Sequence, residues 1–301
     1  MARSLARELE ERGLPVRLVG RTPTPLKAGA EVVVADLTDP ESTEHAVAKS
    51  EVCYLTAGLP YRAKTWERNW PQIMGNVIAA CAKHNARLVF FDNVYMYDPS
   101  YLGHMTEETP IRPISRKGRV RAEIAYQLIE ATKRGVVEAL IARSADFYGF
   151  GRPATGILNF LAFEPLASGK SAMWIADVNY PHSFTYLSDI GKSLAVLGNS
   201  DEAYGEVWHL PTSTGLTGRE WVNQIADFLG AEPRVKVISP FMARFAGLFS
   251  PLVREMVEMF YQYDRPYFFD SSKIKAAYNL MPTPPDIALH EVCCRDYGKC
   301  K

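Results

Sequence analysis

The chain has 301 residues, 47% hydrophobic and 23% charged, and its 34 basic residues balance 34 acidic ones. That length suffices for a substantial core, as one large α/β domain or as a cofactor domain with a smaller lobe. A formal net charge of zero provides no field to draw in nucleic acid or an anionic membrane, so neither is expected as a partner.

No segment nears the run of about 20 apolar residues that spans a bilayer. The N-terminus is charged within its first turns rather than signal-like, and a cytoplasmic protein is expected. The five cysteines, Cys53, Cys81, Cys293, Cys294 and Cys300, are an odd number without paired CxxC motifs, which fits a reduced setting. Cys294 and Cys300 could hold a metal with His290, but structural thiols are the expectation and no metal is assigned.

In chain order, Leu5 and Leu9 among Arg and Glu give Ala2 to Arg12 the pattern of an amphipathic helix, stopped by Gly13 and Pro15. Short β-rich runs follow at Val16 to Val19 and Glu31 to Ala35, the second closed by Asp36 and the Asp39-Pro40 turn. A helix is predicted over 41–49, a strand over Val52 to Thr56, a long helix over 66–84 and a strand over Arg87 to Asp92. Beyond the Pro-rich stretch 109–113, the pattern predicts a helix over 116–134 and a strand from Val137 to Arg143.

Strands that are nearly continuous apolar runs, alternating with helices, predict a parallel sheet covered on both faces. The fold class expected is α/β, a Rossmann-type doubly wound sheet with a smaller C-terminal substrate lobe. Residues 1–151 are read as the dinucleotide-binding region. Residues 152–301 are read mostly as the lobe, with some segments returning to the sheet and helices over 154–167, 188–199, 218–229 and 240–260.

Ordered blocks run along the chain: LVGR at 18–21, ADL at 35–37, TAG at 56–58, VFFDNVYMY at 89–97, EETPIRP at 107–113, ARSADFYGFG at 142–151 and HSFTYLSDIGKSL at 182–194. In this order they resemble the extended short-chain dehydrogenase/reductases, the NAD-dependent epimerase/dehydratases. The resemblance implies a nicotinamide dinucleotide and a small carbonyl or sugar-like substrate as partners. It also implies a homodimer formed through the helices at 66–84 and 116–134.

In that family the residue ending the second strand meets the adenosine ribose; an acidic one accepts from a 2′-hydroxyl, whereas arginine favours a 2′-phosphate. Arg21 there implies NADP rather than NAD, the alternative being a solvated loop arginine. Asp36 and Leu37 stand where the family sets a carboxylate and an apolar contact against adenine, although a turn-capping aspartate fits the spacing as well. Thr56, Ala57 and Gly58 are small enough for the backbone to approach the dinucleotide.

Two departures stand out. The family opens with a strand and a GxxGxxG turn that holds the pyrophosphate; this chain opens inside the helix that follows them. A strand and glycine turn are therefore expected upstream of Met1. In the doubly wound order that strand is central, so its flanks would lack partners without it.

The second departure concerns proton transfer, which the family assigns to a Ser or Thr and a Tyr-x-x-x-Lys. Aligning PISRKGRVRAE at 113–123 puts Lys117 at the tyrosine position and Arg121 at the lysine position, with Asp92-Asn93 in the serine region. Asn93, Lys117 and Arg121 are thus the candidate catalytic residues, and Arg121 also a cofactor ligand. The alternative makes both cations a solvated helix face. Tyr95, Tyr97 and Tyr148, just past strand ends, either replace the lost tyrosine or pack the pocket wall.

Two functions follow, an atypical NADP-dependent oxidoreductase or epimerase-like enzyme and a dinucleotide-holding sensor or scaffold without turnover.

Overall fold

The computed structural model describes residues 1–25, 31–151 and 156–300. In chain order the elements are α1 (Ala2–Glu11), β1 (Arg17–Gly20), β2 (Glu31–Val34), α2 (Pro40–Val47), β3 (Val52–Leu55), α3 (Ala63–His84), β4 (Arg87–Asp92), α4 (Arg116–Lys133), β5 (Ala139–Arg143) and β6 (Asp146–Tyr148). Then come α5 (Glu164–Ala167), β7 (Ala172–Ile175), β8 (Phe184–Tyr186), α6 (Leu187–Gly198), β9 (Val207–His209), α7 (Gly218–Leu229), β10 (Val235–Ile238), α8 (Pro240–Gly247), α9 (Pro251–Val257), α10 (Ser272–Tyr278) and α11 (Pro285–Tyr297). No helix among the described residues is long and apolar enough to cross a membrane.

The chain divides into two compact units. The first comprises Met1–Met96, Arg116–Arg143 and Ile190–Trp208, and the second Tyr97–Ser115, Ser144–Asp189 and His209–Lys301.

In the first unit, β3, β4, β5 and β9 form one sheet in that order, with β3, β4 and β5 parallel. Helices α3 and α4 cover it. Their Met74, Val77, Ile124 and Leu128 meet Leu88, Phe90 and Ile141 of the strands in one buried cluster, and each such side chain contributes about 1.5–3 kcal/mol by leaving water. Asn85 ends α3 in the left-handed conformation that Asn tolerates.

The α/β class and parallel pairing agree with the sequence reading, and the sheet is interrupted where that reading left two flanks without a partner. β1 and β2 pair in parallel with each other, but as a separate two-stranded sheet. β3 is consequently an end strand of its own sheet. The expected cover on both faces also stops there: β5 is buried throughout, whereas Val34 is 72% exposed. A two-stranded ribbon has too little face to bury both sides.

In the second unit, β6 pairs with β8 and β7 with β10, both in parallel. The core gathers Tyr148, Phe163, Trp174, Phe184, Trp221 and Leu289. Trp174 lies against the start of α7, where a Cβ on Gly218 would fall 2.2 Å from its ring, so only glycine fits. Thr217 and Glu220 close that helix with a capping box.

The helix expected over 240–260 is broken into α8 and α9. Pro251 has no N–H for a continuing helix and sits in the first turn of the second one, capped by the Ser250 hydroxyl. Of the helix expected over 154–167, residues 154 and 155 lie outside the described residues. Cys294 and Cys300, expected as thiols, are bonded to each other as a disulfide.

Candidate active site

Asn93, Lys117, Arg121 and the candidate cofactor-binding residues lie in the first unit, and most follow the C-terminal ends of its parallel strands, where ligands collect in this fold. Gly20 of β1 pairs with Val34 of β2, and the Ala35 N–H donates to the Gly20 carbonyl at 3.0 Å. That register brings Arg21 beside Asp36.

The Asp36 carboxylate is held below the usual range first by the Thr38 N–H, then by the Thr38 hydroxyl, with Arg21 adding attraction. Both Thr38 groups donate to Oδ1, at 2.9 and 2.8 Å. The turn-capping reading of Asp36 is therefore realised in the structure. Helix α3 pins the same turn, with Asn76 donating to the Leu37 carbonyl at 3.0 Å and Gln72 to that of Thr38 at 2.7 Å.

Thr56, Ala57 and Gly58 continue from β3, next to the end of β4. A Cβ added to Gly20 or Gly58 meets nothing within 4 Å. Open space therefore flanks both strand ends, and a ligand can approach the backbone there. Arg21 is exposed at the mouth of this space.

At the end of β4 the arrangement is denser. Asp92 is 1% exposed and its Oδ1 accepts from Arg121 Nε at 2.7 Å, from Arg121 Nη2, and from the Asn93 N–H at 2.8 Å. Its Oδ2 lies 3.4 Å from Arg143 Nε. Asn93 accepts the Tyr95 N–H on Oδ1 at 3.1 Å, which fixes the turn leaving the strand.

Aromatic rings enclose these charges. The Arg121 guanidinium lies 4.7 Å from the Trp70 ring centre and 4.9 Å from that of Phe90. Lys117 is wholly buried, one turn earlier on α4, with its Nζ 4.4 Å from the centre of the Tyr61 ring. A cation on an aromatic face gains on the order of 1–2 kcal/mol when desolvated. The solvated-face reading of Lys117 and Arg121 is therefore corrected: both point into the unit because rings and a carboxylate receive them.

Sequence reasoning missed Asp92 as the hub, together with Arg143, Trp66 and Trp70. One signal was legible. Asp92 and Arg143 end strands that pair directly in the β4–β5 register, and Trp66 and Trp70 recur at the i, i+4 spacing of one helix face.

The tyrosines separate by environment. Tyr95 is half-buried and stacks on Trp66 with ring centres 6.3 Å apart. Tyr148, in the second unit, packs wholly buried against Tyr186 and Trp221. Tyr97, also in the second unit, bonds to His209 Nε2 at 2.7 Å. Because His209 Nδ1 faces the Asp270 carbonyl at 2.7 Å, which can only accept, the imidazole proton sits on Nδ1 and Tyr97 is the donor. That tyrosine is a fixed part of the second unit's core.

Residues 1–133 match the family model described as NAD(P)H-binding. No curated protein matches the sequence. Among solved structures, the chain superposes on a Thermus thermophilus UDP-glucose 4-epimerase complexed with NAD at a TM-score of 0.75 and 18% identity, over 96% of this chain and 94% of that one. For a Bacillus cereus UDP-N-acetylglucosamine 4-epimerase the values are 0.72 and 18%, over 96% and 92%.

A Bordetella bronchiseptica enzyme, WbmG, in complex with NAD and UDP, gives 0.74 and 17%, over 97% and 90%. The fold is the one these three structures share. With residues 1–133 matching the NAD(P)H-binding model and these structures sharing the fold, the resemblance drawn from the ordered sequence blocks is borne out.

Proposed function

We propose that this protein is an atypical NADP-dependent oxidoreductase or epimerase-like enzyme acting on a small carbonyl or sugar-like compound, with Lys117 in place of the usual phenol. The observation that carries the reading is a lysine side chain wholly out of water at the position the resemblance assigns to proton transfer. Burying a charge costs several kcal/mol, and residues kept at such cost concentrate at functional sites.

The residues present fit a dinucleotide on the open strand ends beside Gly20 and Gly58. Arg21 would pair with a 2′-phosphate and Leu37 would cover the adenine. Asp36 Oδ2, the oxygen not serving Thr38, would meet the adenine amino group, and the Thr56–Gly58 backbone would border the pyrophosphate. When bound, the nicotinamide supplies or accepts hydride at the substrate carbon.

Lys117 donates a proton to the carbonyl oxygen as that carbon is reduced, and in the oxidising direction the neutral amine takes that proton back. Asn93, on the turn leaving β4, orients the oxygen by hydrogen bonding through its side-chain amide. Arg121, held by Asp92, supplies positive charge near the ribose without leaving its partner.

A second reading, a dinucleotide-holding sensor without turnover, draws on the engagement of Arg121 by Asp92 and the sealing of Lys117 from solvent. Fluorescence titration of NADPH and NADH, followed by a carbonyl panel, separates the two. The enzyme reading expects Lys117→Met to cut kcat by roughly 100-fold or more while dinucleotide affinity holds; a protein that binds NADPH yet turns over nothing on the panel is the sensor. Arg21→Glu should weaken NADPH by roughly tenfold to a hundredfold, the loss of one charge-assisted contact, and leave NADH untouched. Equal losses for both dinucleotides would refute the phosphate assignment.

A further inference from the structure

The C-terminal turn of the second unit carries chemistry that the reading above leaves unused. His290 and Cys294 stand one turn apart on α11, with Cys294 Sγ 3.5 Å from His290 Nε2. Gly298 ends the helix in the left-handed conformation (φ 65°), and its N–H returns to the Cys294 carbonyl at 3.2 Å. This reversal brings the exposed Cys300 back onto Cys294, Cα to Cα 4.6 Å, and the two sulfurs are bonded.

The residues enclosed by that bond fasten a separate stretch of the same unit. Both Asp296 carboxylate oxygens accept the Gly151 N–H, at 2.9 and 3.0 Å. The Arg295 guanidinium lies 4.1 Å from the centre of the Phe150 ring. Tyr297 stacks on Phe163, ring centres 6.1 Å apart, and Tyr297 and Lys299 line a cavity of about 310 Å³ together with Leu166, Gly230 and Glu232.

We propose that Cys294 and Cys300 form a reversible thiol–disulfide site that sets how firmly the chain's last turn clamps the turn at 149–151. The proposal stands apart from the dinucleotide reading. Its oxidant is a low-molecular-weight disulfide of the glutathione type.

His290 takes the Cys294 thiol proton. The thiolate attacks the small disulfide, forming a mixed disulfide and releasing one small thiolate. The Cys300 thiolate then displaces the second. The two cysteine protons end on the two small thiols, the cysteine pair is oxidised by two electrons, and one small disulfide is reduced.

Local chemistry favours this pair over the two buried thiols. Cys293 is buried and its thiol is pushed up to about 12 by desolvation, while Cys81 is wholly buried; thiols kept from the thiolate form and from solvent exchange poorly. Cys294 has a base beside it, and Cys300 is exposed on the tail. A small ring has few conformations left, so closing it holds Asp296 and Arg295 in the geometry that reaches Gly151 and Phe150.

The test equilibrates the purified chain across glutathione redox buffers, alkylates, and maps peptides by mass. The expected result is that, of five cysteines, only Cys294 and Cys300 titrate, and do so together. Amide exchange at Gly151 should be roughly tenfold slower in the oxidised form, and Cys300→Ser should keep the reduced rate in every buffer. Asp296→Asn should speed exchange in both forms and leave the thiol titration unchanged. The proposal is overturned if Cys294 pairs with Cys293, if the reduced protein holds a stoichiometric zinc ion that masks both thiols, or if Gly151 exchanges equally fast in both forms.

Discussion

Each unit contains a carboxylate on which several donors converge, wholly buried in the first and partly buried in the second, and the two solve the same problem differently. In the first, Asp92 receives two guanidinium groups, Arg121 and Arg143. In the second, Asp146 Oδ2 accepts from His182 Nε2 at 3.0 Å and from the Tyr263 hydroxyl at 2.6 Å. His182 is itself pressed between the rings of Tyr263 and Tyr267, at 4.4 and 4.2 Å.

The contrast is between charge balance and hydrogen-bond satisfaction. Arginine stays protonated throughout the accessible pH range, so the Asp92 node holds two fixed positive charges. The partners of Asp146 need only an acceptor of the right shape. The first node is thus bound to ionic pairing, and the second tolerates any neutral oxygen in place.

The largest effect should come from breaking the first node. Asp92→Ala leaves two buried cations without their shared anion and should cost about 3–5 kcal/mol in urea unfolding. Asp92→Asn should recover little of it, because an amide restores an acceptor but no charge.

Asp146→Ala strands a phenol and an imidazole in the second unit and should cost about 1–3 kcal/mol. Here Asp146→Asn should recover most of the loss. If both asparagine variants behave alike, the distinction between the two nodes fails.

The smallest effect concerns Glu107, also in the second unit, which accepts the His209 N–H at 2.9 Å. Desolvation raises its carboxyl above the ordinary 4.5, outweighing that bond. A raised folded-state value means that the native state holds the proton more tightly. The resulting stability is present below pH 4.5 and lost as pH rises through the folded-state value. Glu107→Gln, which keeps an acceptor without charge, should therefore melt higher than the natural protein at about pH 7, with the gap closing below the ordinary carboxyl range; a lower Tm at neutral pH would contradict this sign.

The alternation of apolar runs and amphipathic helices made β3, α3, β4, α4 and β5 legible because strands buried on both faces need continuous apolar residues wherever they sit. Composition and block order likewise specified the α/β class. The Pro251 break was visible as a residue without an N–H, yet the apolar residues on both sides continued the helical period and concealed it.

What the chain alone could not decide was which charges would share one space. Lys117 and Arg121 look like ordinary cations on a helix; only the approach of α3, with its tryptophans, and of β4, with Asp92, turns them inward. The β1–β2 valines are as apolar as those of the central strands, but burial belongs to the neighbours a strand finds and not to its own composition. Local sequence therefore determined the elements. The tertiary structure decided the pairing of Asp92 with its arginines and of Cys294 with Cys300, because each depends on side chains that meet only once the chain has turned back on itself.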